Sequence, residues 1–187
     1  TLELRRQPTE LSVLVESAGE TARPLIDSKR HKLTVGLPPA PVHLNVDPVR
    51  TSQVIANLLN NAAKYTDAGG LIRLTALVRG DDFVLTVTDN GIGIPKQEVE
   101  TIFQMFSQVQ SARERAEGGL GIGLALTKGL VELHGGTITA ESAGLGAGSS
   151  FRIEIPNARA AMSTRTEGSA ASSLPVLSRR ILIADDN

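Results

Sequence analysis

Cysteine and tryptophan are both absent from this chain, tyrosine occurs once and phenylalanine four times. Without thiols there is no disulfide framework, no zinc–thiolate centre and no cysteine nucleophile. That lack fits a reducing compartment, and a cytoplasmic location is expected for this piece whether or not its parent is tethered to a membrane. With 41% apolar but only 3% aromatic residues, the core must be built from Leu, Ile, Val and Ala. No 18-residue apolar run or signal-peptide pattern occurs, so no direct membrane contact is expected from this piece. Nor is there an excess of either charge: 19 Lys and Arg face 20 Asp and Glu. A nucleic-acid partner is therefore not expected. The 187 residues suit one domain of about 150 residues with extensions, enough to bury a sizeable core.

Hydropathy periods and turn residues divide the chain. Leu2 to Gln7 alternates as a short strand, and Thr9 is the expected N-cap of a helix running to about Lys29. Its inward residues would be Leu11, Leu14, Val15, Ala18, Ala22 and Ile26, with Gly19 and Pro24 interrupting the pattern. His31–Leu37 and Val42–Val46 read as strands. Asp47-Pro48 combines an N-cap with proline at the first helical position, and Gly69-Gly70 closes the helix that follows. Leu71–Val78 and Phe83–Thr88 form a hairpin signal, then a glycine-rich loop leads to a short helix near Gln97–Phe103. Ser107–Gly118 is polar and non-periodic. A helix opens at Gly119–Gly123, ends at His134 before Gly135-Gly136, and precedes a last hairpin, Thr137–Ser142 and Ser149–Ile155. The expected fold is an α/β (α+β) sandwich: a mixed, largely antiparallel sheet with about three helices on one face. Residues 1–156 form this domain, 157–178 read as a flexible linker, and 179–187 resemble the first strand of a further domain.

Three segments carry chemistry. In the helix after Asp47, Val54, Ile55, Leu58, Leu59 and Ala62 make the apolar face, while Asn57, Asn61 and Lys64 stack on another. That polar stripe spans about 10 Å of axis and is either a solvated face or a ligand face rich in oxygen-seeking groups. Asp89-Asn90-Gly91-Ile92-Gly93-Ile94-Pro95 puts a carboxylate at a strand end beneath a flexible turn. An ionised carboxylate only accepts hydrogen bonds, which suits the exocyclic amine of adenine and rejects guanine. Gly119-Leu120-Gly121-Ile122-Gly123 opens a helix with exposed N–H groups and a positive dipole end, an arrangement for phosphate or for close helix packing. It is neither a P-loop nor a GxGxxG fingerprint.

Together these motifs resemble the sensor histidine kinases. Asn57–Thr66 is similar to their N box, Asp89–Pro95 to the first glycine box, Ile102–Phe106 to the F box and Gly119–Ala125 to the second glycine box. The order and spacing match across roughly Leu2–Pro156, which implies the Bergerat ATP-binding fold. By this resemblance Asn61 coordinates Mg²⁺, Asn57 supports the metal and phosphate region, Lys64 meets a phosphate and Tyr65 lies beside ATP. Asp89 takes the adenine amine, with Gly91, Gly93 and Ile94 around the base. Gly119, Leu120, Gly121 and Gly123 cradle phosphates. Phe103 and Phe106 anchor Ser107–Gly118 as a lid, from which either Arg113 or Arg115 reaches the γ-phosphate. Leu120 stands where relatives often have a small hydroxyl residue, and Met105 where they often have proline.

Related ATPases of this fold, of the gyrase, Hsp90 and mismatch-repair types, carry a glutamate base at the position of Asn57. An amide cannot take a proton at neutral pH, so the resemblance implies slow hydrolysis and phosphoryl transfer to a protein histidine. Asn57 and Lys64 are the expected catalytic residues. The other readings are a Bergerat-fold ATPase and a non-catalytic nucleotide-binding scaffold. None of His31, His43 and His134 lies in an acceptor motif; they read as strand-edge, strand and helix-terminus residues. The acceptor is expected on an upstream dimerisation domain, making the parent a homodimer. Arg180–Asn187, an apolar strand ending in Asp185-Asp186, is similar to the start of a response-regulator receiver, which implies a hybrid kinase and a phosphorelay partner.

Overall fold

The computed structural model describes residues 3–105 and 121–160. Within them lie seven strands and three helices: β1 (Gln7–Glu10), α1 (Leu11–Ser28), β2 (Lys32–Gly36), β3 (His43–Val46), α2 (Pro48–Lys64), β4 (Leu71–Arg79), β5 (Asp82–Asp89), α3 (Gly123–Leu133), β6 (Thr137–Glu141) and β7 (Ser149–Ile155). Phe106, the segment Ser107–Gly118 with Arg113 and Arg115, Gly119, Leu120 and all of 161–187 lie outside the described residues.

The main sheet has the order β2-β4-β5-β7-β6, with β2 parallel to β4 and every other pair antiparallel. Its register follows from period-two patterning. Leu74 faces Val87, Val87 faces Phe151 and Ile153 faces Ile138, so one side of the sheet is continuously apolar. The alternate residues Arg73, Leu77, Thr88 and Glu154 are exposed. Helices α2 and α3 pack against the sheet, α1 packs on α2, and their apolar faces join the sheet in one core cluster. All six inward residues expected of α1 are buried. Pro24 does not break it: proline lacks one N–H, but its side chain is exposed and the buried stripe continues to Ile26.

The structure corrects several local expectations. The first strand is Gln7–Glu10 rather than Leu2–Gln7, because β3 offers it a ladder running from Gln7↔Val46 to Glu10↔His43. Thr9 is thereby drawn into that strand, and Glu10 occupies the N-cap of α1, its carboxylate accepting from Ser12 Oγ at 2.7 Å instead of capping the backbone. Gln97–Phe103 is a series of turns rather than a helix. Glu98 N donates to Pro95 O, Thr101 N to Glu98 O and Gln104 N to Thr101 O, all i→i+3, and Ile102 buries into the core. Helix α2 ends at Lys64, five residues before Gly69. Packing also continues past Pro156: Ala158 and Ala160 are buried, Asn45 N donates to Ala158 O and Ala160 N to His43 O.

Asp47 ties this frame together. Its Oδ1 accepts from Arg50 N at 3.1 Å, capping α2, and its Oδ2 accepts from Arg5 N at 2.9 Å. Its own N–H donates to Nε2 of buried His134 at the end of α3, whose Nδ1 donates to Leu130 O. Burial pushes the Asp47 carboxyl up, but the backbone donors of Arg5 and Arg50 and the nearby charges outweigh it and hold it below its ordinary value. A depressed value means stability present above the ordinary aspartate range and lost as pH falls through the folded value. Asp47→Ala is expected to cost about 1–2 kcal/mol at neutral pH. Urea denaturation should show that loss shrinking towards acid pH; an equal loss at all pH values would refute it.

Candidate functional site

Because the apolar face of α2 is pressed into the core, its other face is set by phase alone. Ile55, Leu58, Leu59 and Ala63 are at most 1% exposed, whereas Asn57, Asn61, Lys64 and Tyr65 are half-buried along one edge. The first glycine segment meets that helix at its C-terminal end, and Gly123 of the second meets it near its middle, at Asn57.

At its C-terminal end, Ile92 N donates to Tyr65 O at 3.0 Å. A Cβ at Gly91 would stand 2.2 Å from Tyr65 O, so only glycine fits there. Asp89 closes β5 and is 7% exposed. Its Oδ1 accepts from Gly91 N at 2.9 Å and Ser149 N at 3.3 Å, and its Oδ2 accepts from Ser149 Oγ at 2.6 Å. Burial raises its pKa above the ordinary value despite those three donors. Beside Gly91, Thr66 Oγ1 is buried with no hydrogen-bond partner among the described residues. The turn itself is held by the β6–β7 loop: Gly146 N donates to Ile92 O, Gly148 N to Gly91 O, and Ile94 N to Ser142 Oγ. Gly93 has φ +70° and its pro-Cβ direction meets Gly144 O; Ile94 is buried beneath. Phe103 packs edge-on against Phe151 at 6.4 Å.

At the other end of the stripe, Asn57 Nδ2 donates to Thr127 Oγ1 on α3 at 2.5 Å. Gly123 has no Cβ where one would stand 2.7 Å from Asn57 Oδ1. Gly121, φ +67°, makes the turn into α3. Lys64 Nζ lies 5.1 Å from the Tyr65 ring centroid. No hydrogen bond of the Asn61 side chain is found among the described residues, and none of their His, Asp and Glu side chains form a group of three able to hold a metal. Of the sequence-expected residues within the described range, Asn57, Asn61, Lys64 and Tyr65 share one edge of α2, Gly91 meets Tyr65 and Gly123 meets Asn57, whereas Gly93 and Ile94 contact the β6–β7 loop. Sequence reasoning missed Ser149, Ser142, Thr66 and Thr127. For Thr127 the signal was its spacing of four from Gly123 on one face of α3.

Residues 46–159 match the family model described as Histidine kinase-, DNA gyrase B-, and HSP90-like ATPase. The chain belongs to this family. Its ATPase-like domain is 48% identical over 110 residues to the circadian input-output histidine kinase CikA of Synechococcus elongatus, covering 59% of this chain and 14% of CikA. It is 41% identical over 156 residues to the adaptive-response sensory kinase SasA of a Synechococcus strain, covering 83% of this chain and 41% of SasA. The chain therefore spans less than half of either kinase. Among solved structures, the mycobacterial sensor histidine kinase MprB superposes with TM-score 0.71 at 25% identity, covering 82% of this chain and all of that one. ShkA, determined in complex with AMPPNP, superposes with TM-score 0.73 at 29% identity, covering 86% of this chain and 33% of that one. The ATPase-like domain has the Bergerat fold of histidine kinase catalytic domains. None of its described helices is long and apolar enough to cross a membrane.

The raised pKa of Asp89 means that the native state holds this proton more tightly than the unfolded chain, so ionisation weakens folding as pH rises through the raised value. Nucleotide-free Asp89→Asn is expected to melt at or above the wild-type temperature near neutral pH. The two should converge as pH falls into the ordinary aspartate range, followed by circular dichroism. A clearly lower melting temperature at neutral pH would refute this.

Proposed function

We propose that this chain is the ATP-binding catalytic unit of a histidine kinase, presenting the γ-phosphoryl group of Mg–ATP to a histidine on a separate domain. The observation that carries this reading is the placement of charge along α2. The carboxylate Asp89 sits by its C-terminal end with acceptor oxygens only, while near its middle residue 57 is an amide packed on α3.

Asp89 would accept from the adenine amine, and Gly91 and Gly93, with Ile94 below, admit the base edge. The orphaned Thr66 hydroxyl beside Gly91 supports a polar ligand there. Lys64 would neutralise phosphate charge, with Tyr65 alongside. Gly121 and Gly123 would present backbone N–H groups to phosphate at the start of α3, joined in this proposal by Gly119 and Leu120. The donor set suits Mg²⁺ brought by the nucleotide: neutral amide oxygens of Asn61, supported by Asn57, with the anionic ligands supplied by phosphate. When bound, Mg²⁺ would offset charge on the transferring phosphoryl group. Asn57 has no basic lone pair, so a water at its side is not deprotonated. Transfer then depends on positioning an external histidine for in-line attack. We further propose a homodimeric parent whose acceptor lies upstream, and a hybrid architecture in which the segment 179–187 opens a receiver that takes the phosphoryl group onto an aspartate.

Mixing the chain with a histidine-bearing dimerisation domain, Mg²⁺ and γ-labelled ATP tests the reading. Acid-labile, base-stable label on the acceptor histidine is the expected outcome. Tight ATP binding without transfer would identify a scaffold instead. Multiple-turnover phosphate release by this chain alone would identify an ATPase.

A further inference from the structure

Thr127 is 1% exposed on α3, one turn after Gly123, and its Oγ1 lies 2.9 Å from the Gly123 carbonyl oxygen and 2.5 Å from the Asn57 side-chain amide. A hydroxyl has one proton, and a carbonyl oxygen only accepts. The Thr127 proton is therefore committed to Gly123, and towards Asn57 the same oxygen can only accept. The Asn57 atom that meets it must be the nitrogen. That fixes which way round the amide stands: Nδ2 to Thr127, Oδ1 against the Cβ-less face of Gly123, 2.7 Å from where a Cβ would be. We propose that Thr127 is a positioning residue that orients the Asn57 carbonyl oxygen at the entrance to α3, where the phosphates and their magnesium would sit. The proposal rests on the placement of Asn57 in the nucleotide site.

Threonines often bond back to the carbonyl four residues earlier, and alone that bond is only local helix chemistry. The second bond makes the difference, since it crosses from α3 to a residue 70 positions away on α2. It also separates an amide from a carboxylate. An aspartate at 57 would present only acceptors to Thr127, and could be satisfied only by taking the hydroxyl proton from Gly123. The pairing thus favours the amide that leaves water unactivated. Without the hydroxyl the two ends of the amide are nearly equal in shape, and Nδ2 loses its acceptor.

The 187-residue chain carrying Thr127→Val or Thr127→Ser tests this. In nucleotide-free protein, the Asn57 side-chain NH₂ resonances, assigned by their loss in Asn57→Asp, are expected to shift in Thr127→Val and to stay in place in Thr127→Ser. Calorimetry is expected to show Mg–ADP binding about tenfold weaker in Thr127→Val, near wild type in Thr127→Ser, and little change for either without magnesium. Gly123→Ala, which displaces the Asn57 amide while keeping Thr127, is expected to shift the same resonances should Thr127→Val not fold. Unmoved Asn57 resonances in Thr127→Val, or equal weakening with and without magnesium, would overturn the proposal. If the wild type binds no nucleotide, the functional reading fails, whereas the resonances still decide whether Thr127 holds Asn57.

Discussion

Burial of one face of α2 is the constraint from which the rest of this molecule follows. Val54, Ile55, Leu58, Leu59, Ala62 and Ala63 are all buried, and at about 25 cal/mol per Å² of apolar surface no rotation of the helix would leave them stable. Once they are seated, the helix has no freedom of phase. Asn57, Asn61 and Lys64 then face outward because of what their neighbours do. The core and the polar stripe are two consequences of one packing event.

Position along the helix is set separately, by Asp47. It caps the first turn, holds Arg5 and, through its backbone, meets His134 at the end of α3. His134 accepts at Nε2 and donates at Nδ1, a neutral tautomer with both nitrogens used. The two helices that flank the site are therefore tied at the end remote from the Asp89 loop. Near the middle, Asn57 and Thr127 tie them again.

The glycine-rich turn after β5 is costly by comparison. Its carboxylate is buried, and its shape depends on a second glycine-rich loop, the one between β6 and β7. Ser142 and Ser149 from the β6–β7 hairpin supply hydroxyls to Ile94 N and Asp89 Oδ2. Gly148 approaches so closely that a Cβ would stand 2.1 Å from Asp89 O. A carboxylate destabilised by burial yet held by converging donors is what the proposed adenine contact calls for.

Much of this was legible in residue order. The inward residues of α1, the Asp47-Pro48 cap, the β4–β5 and β6–β7 hairpins and the shared edge of Asn57 and Asn61 all come from periodicity, capping chemistry and motif spacing, which act over a few residues. Where those local signals conflicted with pairing, tertiary structure prevailed: Thr9 left its cap to join β3, and the turns after Pro95 never closed into a helix because Ile102 is held by the core. Ser149 was not legible and Thr127 only as a residue one turn after Gly123, since each matters through a partner 60 or 70 positions away. Sequence alone determined which side chains this protein offers to the proposed nucleotide site and on which elements they ride. Only the tertiary structure decided how Asp89 is desolvated and which way the Asn57 amide stands, because both depend on donors and acceptors that distant segments bring within hydrogen-bond reach.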